Sequence, residues 1–271
     1  MVLSNFGRLS RGAAKDLENE SDSAWTSVVV RILDATASHR ERVMFLNDAA
    51  IYRCGSHPHI LSLFGRCLDT VPLLLLQEYC SQGDLKGYLK TKADNPDGLF
   101  FTDYPLHWCY QLTSALKHLH DNKIVHPTYA GKASLLLLFT VPCDCDGDYY
   151  FHYSDLATRN CQLASDLALK LGDYGLSTTK YPEDYYQGSP AIPVRWRSPE
   201  SLNCTLTTIQ SKKITPEDNV WSLGVTVWEI YTCGEQPYSA LSDDEVVSQV
   251  LGPPNVRLTR PTSSNRNVDY M

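Results

Sequence analysis

The chain has 271 residues, a length that fits one large domain or two tightly packed lobes. Its 43% hydrophobic and 20% charged content is that of an ordinary soluble globular protein and excludes a low-complexity or fibrous chain. The net charge of -7 leaves no electrostatic footprint for a nucleic-acid partner, which would call for a basic face. Residues 1–24 are polar and irregular, with an acidic stretch from Asp16 to Asp22. Val28 to Val30, then Ile32 and Leu33, predict a buried strand. Residues 38–53 have a helical pattern, with Val43, Phe45, Leu46, Ala49 and Ala50 on the apolar side. Ile60 to Phe64 and Leu73 to Gln77 are short apolar strands separated by a turn-rich segment.

The character changes after Tyr79. Residues 84–92 predict a short helix, with Asp84 near the positive end of its dipole. Residues 105–122 predict a longer one, with Leu106, Cys109, Leu112, Leu116 and Leu119 near helical spacing. Residues 219–232 are apolar on nearly all sides, the mark of a helix at the buried centre of its lobe. A weaker helix is expected over 243–251. The fold class is therefore α+β, with a small strand-rich lobe carrying one helix over 1–79 and a larger helical lobe over 80–271.

Nine cysteines without regular spacing read as reduced thiols of the cytosol. Cys143 and Cys145, in Cys-Asp-Cys-Asp-Gly-Asp, have no second ligand pair at zinc-like spacing and no calcium-loop order, so a solvated loop is expected there. No apolar run approaches the roughly 20 residues that span a bilayer. The N-terminus has no charged-then-apolar signal pattern.

The residues that carry chemistry are Asp155-Leu156-Ala157-Thr158-Arg159-Asn160 and, further on, Gly172-Asp173-Tyr174-Gly175. Phosphoryl transfer needs positioning and charge neutralisation more than covalent chemistry. One carboxylate must take the proton of the accepting hydroxyl. A second carboxylate and an amide oxygen must hold Mg²⁺, a hard cation that prefers oxygen. Asp155, Asp173 and Asn160 are the groups of the right type, and Gly175 permits a sharp backbone turn beside them. Either fragment alone would read as ordinary turn chemistry; their order and spacing with the fragments below point to a phosphoryl-transfer site.

These fragments resemble the protein-kinase signature set. Val28-Val29-Val30-Arg31 stands where the family has its third-strand Val-Ala-Ile-Lys, and His57-Pro58-His59-Ile60-Leu61 looks like the segment after helix C. Glu78-Tyr79-Cys80 and Gly83-Asp84-Leu85 look like the hinge and its exit. Asp155 to Asn160 resembles the catalytic loop, Asp173-Tyr174-Gly175 the Asp-Phe-Gly segment, Ser198-Pro199-Glu200 the Ala-Pro-Glu segment, and Asn219 to Gly224 the start of helix F. Ala157 and Arg159, in place of a lysine two after the base, and Pro193-Val194-Arg195-Trp196 resemble the tyrosine kinases. Ser154-Asp155, Gly172 to Leu176, Glu183 to Tyr186 and Asn219 to Val225 look more narrowly like the lemur tyrosine kinases, some of which are described as serine/threonine kinases.

The resemblance implies a two-lobed kinase fold, ATP and Mg²⁺ as cofactors and a protein substrate. It makes Asp155 the base, Arg159 its support, and Asn160 and Asp173 the metal ligands. The backbone of Glu78 and Cys80 would bond the adenine, Val29 and Leu163 would sandwich it, and Gln77 would be the gatekeeper. Tyr181, Tyr185 and Tyr186 would lie in the activation segment, where phosphorylation is expected. A cytoplasmic location is implied, on the cytoplasmic side of a membrane where the family's anchor is present; this chain has no spanning segment of its own.

The chain departs from the pattern at several positions. Arg31 replaces the phosphate-binding lysine, a non-conservative exchange at a tight phosphate site, and Asp48 replaces its glutamate partner. Gly7 matches the end of the glycine loop, but Val2 and Ser4 occupy the first two glycine positions, so no full hairpin is expected over the phosphates and the start reads as truncated. Ser154 replaces the arginine before the base, and Asn219 replaces an aspartate that helps hold the catalytic loop. Residues 127–153 interrupt the catalytic loop and read as a retained intron or gene-model error, leaving His126 or Tyr153 in the place of the loop histidine. The last helices of the large lobe are absent, so Glu200 is expected to be a buried carboxylate without its arginine. Two functions remain open: an ATP-dependent kinase of protein hydroxyls, tyrosine above all, and a pseudokinase scaffold with impaired ATP handling.

Overall fold

The computed structural model describes residues 2–4, 7–15, 25–39, 41–42, 45–46, 52, 56–100, 102–122, 155–187, 191–205, 208–212 and 214–261. The first lobe is a five-stranded antiparallel sheet in the order β1-β2-β3-β5-β4: β1 Val2–Ser4, β2 Gly7–Ala14, β3 Thr26–Leu33, β4 Leu63–Cys67 and β5 Leu73–Glu78. Alternation puts Val29, Arg31 and Leu33 of β3 on one face, opposite Gln77, Leu75 and Leu73 of β5. All six are buried there, together with Leu9 of β2. His39, Glu41, Arg42, Phe45 and Leu46 are helical, as the pattern over 38–53 predicts, and Phe45 and Leu46 pack into the same core.

Three expectations for this lobe are corrected. Residues 7–14 form a strand rather than irregular chain, with Leu9 the one buried residue of a strand that is otherwise polar or small and half open. A short hairpin does form at the start: Ser4 pairs with Gly7 and Val2 with Leu9. Gly7 has φ +134°, and a Cβ there would lie 2.1 Å from the Ile32 carbonyl oxygen, so the position accepts glycine alone. The strand expected at 60–64 begins only at Leu63. Ile60 instead bridges to Leu171, and Leu61 N–H donates to the Leu171 carbonyl at 3.0 Å, tying the sheet to the second lobe.

The second lobe is mainly helical: α1 Leu85–Lys90, α2 Pro96–Phe100, α3 Tyr104–Asp121, α4 Ser177–Lys180, α5 Pro216–Tyr231 and α6 Asp243–Gln249. Small antiparallel pairings join β6 Gly83–Asp84, β7 Cys161–Leu163 and β8 Leu169–Leu171, and separately β9 Leu202–Cys204 and β10 Ile209–Ser211. Asp84 caps α1, its side chain accepting from Gly87 N–H at 2.8 Å. Capping boxes start α5 (Thr215 with Asp218) and α6 (Ser242 with Glu245). α2 and the β9–β10 pair have no counterpart in the sequence reading; they are too short to develop a period.

α5 corrects the expectation of a helix buried on all sides. Its buried face carries Asn219, Ser222, Thr226 and Glu229 beside Val225 and Ile230, whereas Val220 is 66% exposed and Trp221, Leu223, Val227 and Trp228 are half-buried. Thr226 and Glu229 turn inward to bond the loop at 155–160, Ser222 to bond the Trp196 carbonyl, and Asn219 to meet His120. Glu200 is exposed, not the buried carboxylate the sequence predicts. The six described cysteines are free. Residues 123–154, with Cys143, Cys145, Ser154 and the insertion at 127–153, lie outside the described residues, as does Asp48. Among the described residues no helix is long and apolar enough to cross a membrane.

Candidate active site

A cleft of about 380 Å³ opens between the lobes, within the ~300–1,000 Å³ common for small-molecule sites. Leu9, Arg11 and Val29 line it from the sheet, Tyr79 and Cys80 from the connection, and Arg159, Asp173, Tyr174, Ser177, Lys180 and Tyr181 from the second lobe. Leu163 is fully buried in the core cluster that also holds Leu9 and Val29.

The loop bearing Asp155 is held from below by α5. Thr158 N–H and Oγ1 donate to Glu229 at 3.1 and 2.9 Å, Trp196 Nε1 donates to Glu229 at 2.8 Å, and Thr226 Oγ1 donates to the Leu156 carbonyl at 3.2 Å. Burial pushes the Glu229 carboxyl up, against the pull of Lys86, Arg159 and these donors. Asn219, in the place of a helix-start aspartate, is buried with Oδ1 3.3 Å from His120 Nε2.

On this support a one-turn helix over Thr158–Asn160 aims the side chains. Asn160 Nδ2 donates to the Asp155 carbonyl at 2.7 Å, which turns its Oδ1 toward Ser177. Ser177 Oγ bonds both Asn160 Oδ1 and, at 3.0 Å, Asp173 Oδ2, so the amide and the second carboxylate meet at one hydroxyl. Gly172 has φ +143°, and a Cβ on it would meet Tyr52 Cε1 at 2.7 Å and Leu61 Cβ at 2.8 Å. Tyr52 Oη accepts from Asp173 N–H at 3.0 Å and donates to its carbonyl at 3.3 Å. Asp173 and Ser177 line the cleft, Asn160 reaches it through Ser177, and the Asp155 carboxylate stands behind the cleft-lining Arg159.

Asp155 itself is paired with Arg159 and accepts from the Tyr185 phenol at 2.6 Å. Arg159 is fully buried between the Tyr185 and Trp196 rings, 4.6 and 4.0 Å from their centroids, and also pairs with Asp184 at 3.2 Å. Burial pulls its guanidinium down, but Asp155, Tyr185, Asp184 and Glu229 outweigh that and keep it protonated. Asp184 is fully buried and also takes the ammonium of Lys86. Tyr181 donates to Asp84 at 2.7 Å, and Tyr186, half-buried, to Asp244 at 3.2 Å. Burial, then the facing carboxylate, raises the Tyr181 and Tyr185 phenols, so both remain donors at neutral pH.

At the other end, Tyr174 Oη donates to the Glu78 carbonyl at 2.7 Å and accepts from Cys80 N–H at 3.2 Å. Gln77 is fully buried, with neither amide atom hydrogen-bonded among the described residues. Arg31 is 1% exposed and its guanidinium carbon lies 5.5 Å from the Phe45 ring centroid; it does not line the cleft. Sequence reasoning missed Leu9, Tyr52, Ser177, Asp184 and Glu229. Only Glu229 carried a signal, as the lone charge in the apolar run 219–232. The rest act through contacts between residues distant in sequence.

The chain matches the protein tyrosine and serine/threonine kinase family over residues 3–137 and 148–271. It is 36% identical to the mouse serine/threonine-protein kinase LMTK3 over 98% of its own length and 34% identical to mouse LMTK1 over 94%. It is 31% identical to the Xenopus laevis insulin-like growth factor 1 receptor over 91%. It spans 17%, 17% and 16% of the length of these three relatives. With a family match across both lobes and the cleft between them, the chain belongs to the protein tyrosine and serine/threonine kinase family.

Proposed function

We propose that this kinase domain transfers the γ-phosphate of ATP to a protein hydroxyl and that a tyrosine phenol is the hydroxyl its site takes best. The observation that carries the reading is the bond from the Tyr185 phenol to Asp155 Oδ2 at 2.6 Å, within reach for general-base catalysis. A serine on the same backbone path would stop short of Asp155. In the reaction the Asp155 carboxylate takes the phenol proton as the oxygen bonds the γ-phosphorus. The bond to the β,γ-bridging oxygen breaks, and ADP leaves. Arg159 holds Asp155 in place from its buried pocket.

Among the described residues no three His, Cys, Asp or Glu side chains cluster as a metal site. Asn160 Oδ1 and Asp173 Oδ2 nevertheless present two oxygens to one point, which fits Mg²⁺, an ion that takes few protein ligands and fills its shell with water and phosphate. When bound, the ion neutralises charge on the phosphates. The backbone of Glu78 and Cys80 takes the adenine, Val29 and Leu163 enclose it, Gln77 stands behind it, and Gly7 lets the hairpin approach. The lobes divide at 79/80, with the insertion at 127–153. Tyr181, Tyr185 and Tyr186 are the phosphorylation sites, and the domain works at the cytoplasmic side.

A second reading, a pseudokinase that binds partners without transfer, draws on one observation: Arg31, in the lysine position, lies buried over Phe45 rather than at the cleft. The experiment is transfer of γ-labelled phosphate from Mg-ATP to two peptides differing only in Tyr or Ser at the acceptor. Label on the tyrosine peptide is expected. Label on the serine peptide alone would overturn the acceptor assignment. No label on either, with ATP bound, would favour the pseudokinase.

A further inference from the structure

Tyr174 occupies a position that asks more of it than a packing ring would give. It is 8% exposed, belongs to the buried core, and also lines the cleft. Its hydroxyl carries one donor and can accept, and both capacities are spent on backbone groups two residues apart, the Glu78 carbonyl and the Cys80 N–H. That acceptor-and-donor pair is complementary to the amine and adjacent ring nitrogen along one edge of adenine. The turn that presents Tyr174 is firmly set: Gly172 and Gly175 have φ +143° and +77°, and the Tyr52 hydroxyl clamps both backbone groups of Asp173.

We infer that Tyr174 is a tethered stand-in for adenine, a side chain whose phenol saturates the hinge and which the nucleotide base must displace to bind. The inference rests on the nucleotide reading above and adds a competitor that a phenylalanine would not provide. A phenylalanine ring could fill the same space, but it would leave the Glu78 carbonyl and Cys80 N–H without the bonds the phenol supplies. The hydroxyl therefore stabilises the closed form specifically. The apparent affinity of the nucleotide falls with the fraction of molecules in which the ring has moved away.

The test is Tyr174→Phe, titrated with Mg-ADP by calorimetry alongside the unaltered chain. Loss of two hinge hydrogen bonds from the closed form predicts binding about five- to 150-fold tighter. In hydrogen exchange without nucleotide, the Cys80 amide should lose protection in the variant. Equal or weaker affinity in a variant with unchanged melting would overturn the inference while leaving the nucleotide reading intact. Failure of both folded proteins to bind millimolar Mg-ADP would overturn the nucleotide reading and this inference with it. Should the variant not fold, crystals of the unaltered chain with adenosine decide the matter. Adenine on Glu78 and Cys80 with the Tyr174 ring displaced supports the inference, and adenine bound with that ring still in place overturns it.

Discussion

Asp155 has its two carboxylate oxygens engaged by Arg159 and Tyr185, so an incoming hydroxyl must first displace the Tyr185 phenol. Tyr185→Phe removes that bond and the one from Arg159 Nε at 2.9 Å while keeping the ring over the guanidinium. Counting only the bond to Asp155, at about 0.5–1.5 kcal/mol, the variant's KM for a tyrosine peptide should fall at least about twofold to tenfold, with kcat little changed, in steady-state assays. An unchanged KM would mean that Tyr185 does not compete for the base. The three central side chains could be proposed from the sequence because the order of the motifs around them, rather than either fragment alone, resembles a kinase: Asp155 and Asn160 flank one turn, and Asp173 follows a glycine. The role of Tyr174 was not legible, because a phenol and a phenyl ring look alike at that position until the hinge groups come within hydrogen-bond reach of the hydroxyl.

At the scale of elements, α5 works as a bracket for the loop at 155–160, through its buried carboxylate Glu229. Glu229→Ala should cost about 3–5 kcal/mol in denaturant unfolding, because Lys86, Arg159 and the Thr158 N–H lose a buried anion. Gly172→Ala should cost at least ~1–3 kcal/mol from backbone strain, since φ +143° suits glycine and a Cβ would meet Tyr52 and Leu61. The turn into β4 carries a pH dependence. His57 Nδ1 accepts from the His59 N–H at 3.1 Å, and its Nε2 lies 3.2 Å from Ser114 Oγ. Burial, then His118, His59 and Lys170, holds His57 below the ordinary histidine range. Above pH ~6.5 the ring is neutral folded and unfolded, and the stabilisation is complete. As pH falls below that, the unfolded chain takes the proton first and stability drops. Melting at pH 5.5 should therefore lie below that at pH 7.5, and His57→Gln should narrow the gap. The long helices and β3 and β5 were legible from their periods. β2 was not, since only Leu9 of its eight residues is buried. The buried face of α5 ran against its hydrophobic pattern because its polar side chains bond groups distant in sequence: Glu229 and Thr226 the loop at 155–160, Ser222 the Trp196 carbonyl.

In the molecule as a whole, hydroxyls of residues 174–185 meet the groups proposed above for the hinge, the metal and the base. Tyr174 bonds the backbone of Glu78 and Cys80, Ser177 the oxygens of Asn160 and Asp173 proposed for the metal, and Tyr185 the carboxylate of Asp155 proposed as the base. Three phenols also pin the segment to carboxylates on separate elements: Tyr181 to Asp84, Tyr185 to Asp155 and Tyr186 to Asp244. A phosphate on any of them would replace a donor with a dianion facing an anion. Phosphorylated chain should therefore be cut faster by protease within 177–187 than the unmodified chain, and equal rates would argue against this pinning. Two lobes were legible in the order of motifs; a closed segment was not, because it depends on contacts such as Tyr181 with Asp84, nearly a hundred residues apart. The most direct measurement is the initial rate of labelled phosphate transfer from Mg-ATP to a tyrosine peptide by the chain and by its Asp155→Asn variant. Loss of the base predicts a rate lower by about 10²–10⁴-fold with nucleotide affinity retained. Equal rates in the two proteins would contradict a transfer site built on Asp155.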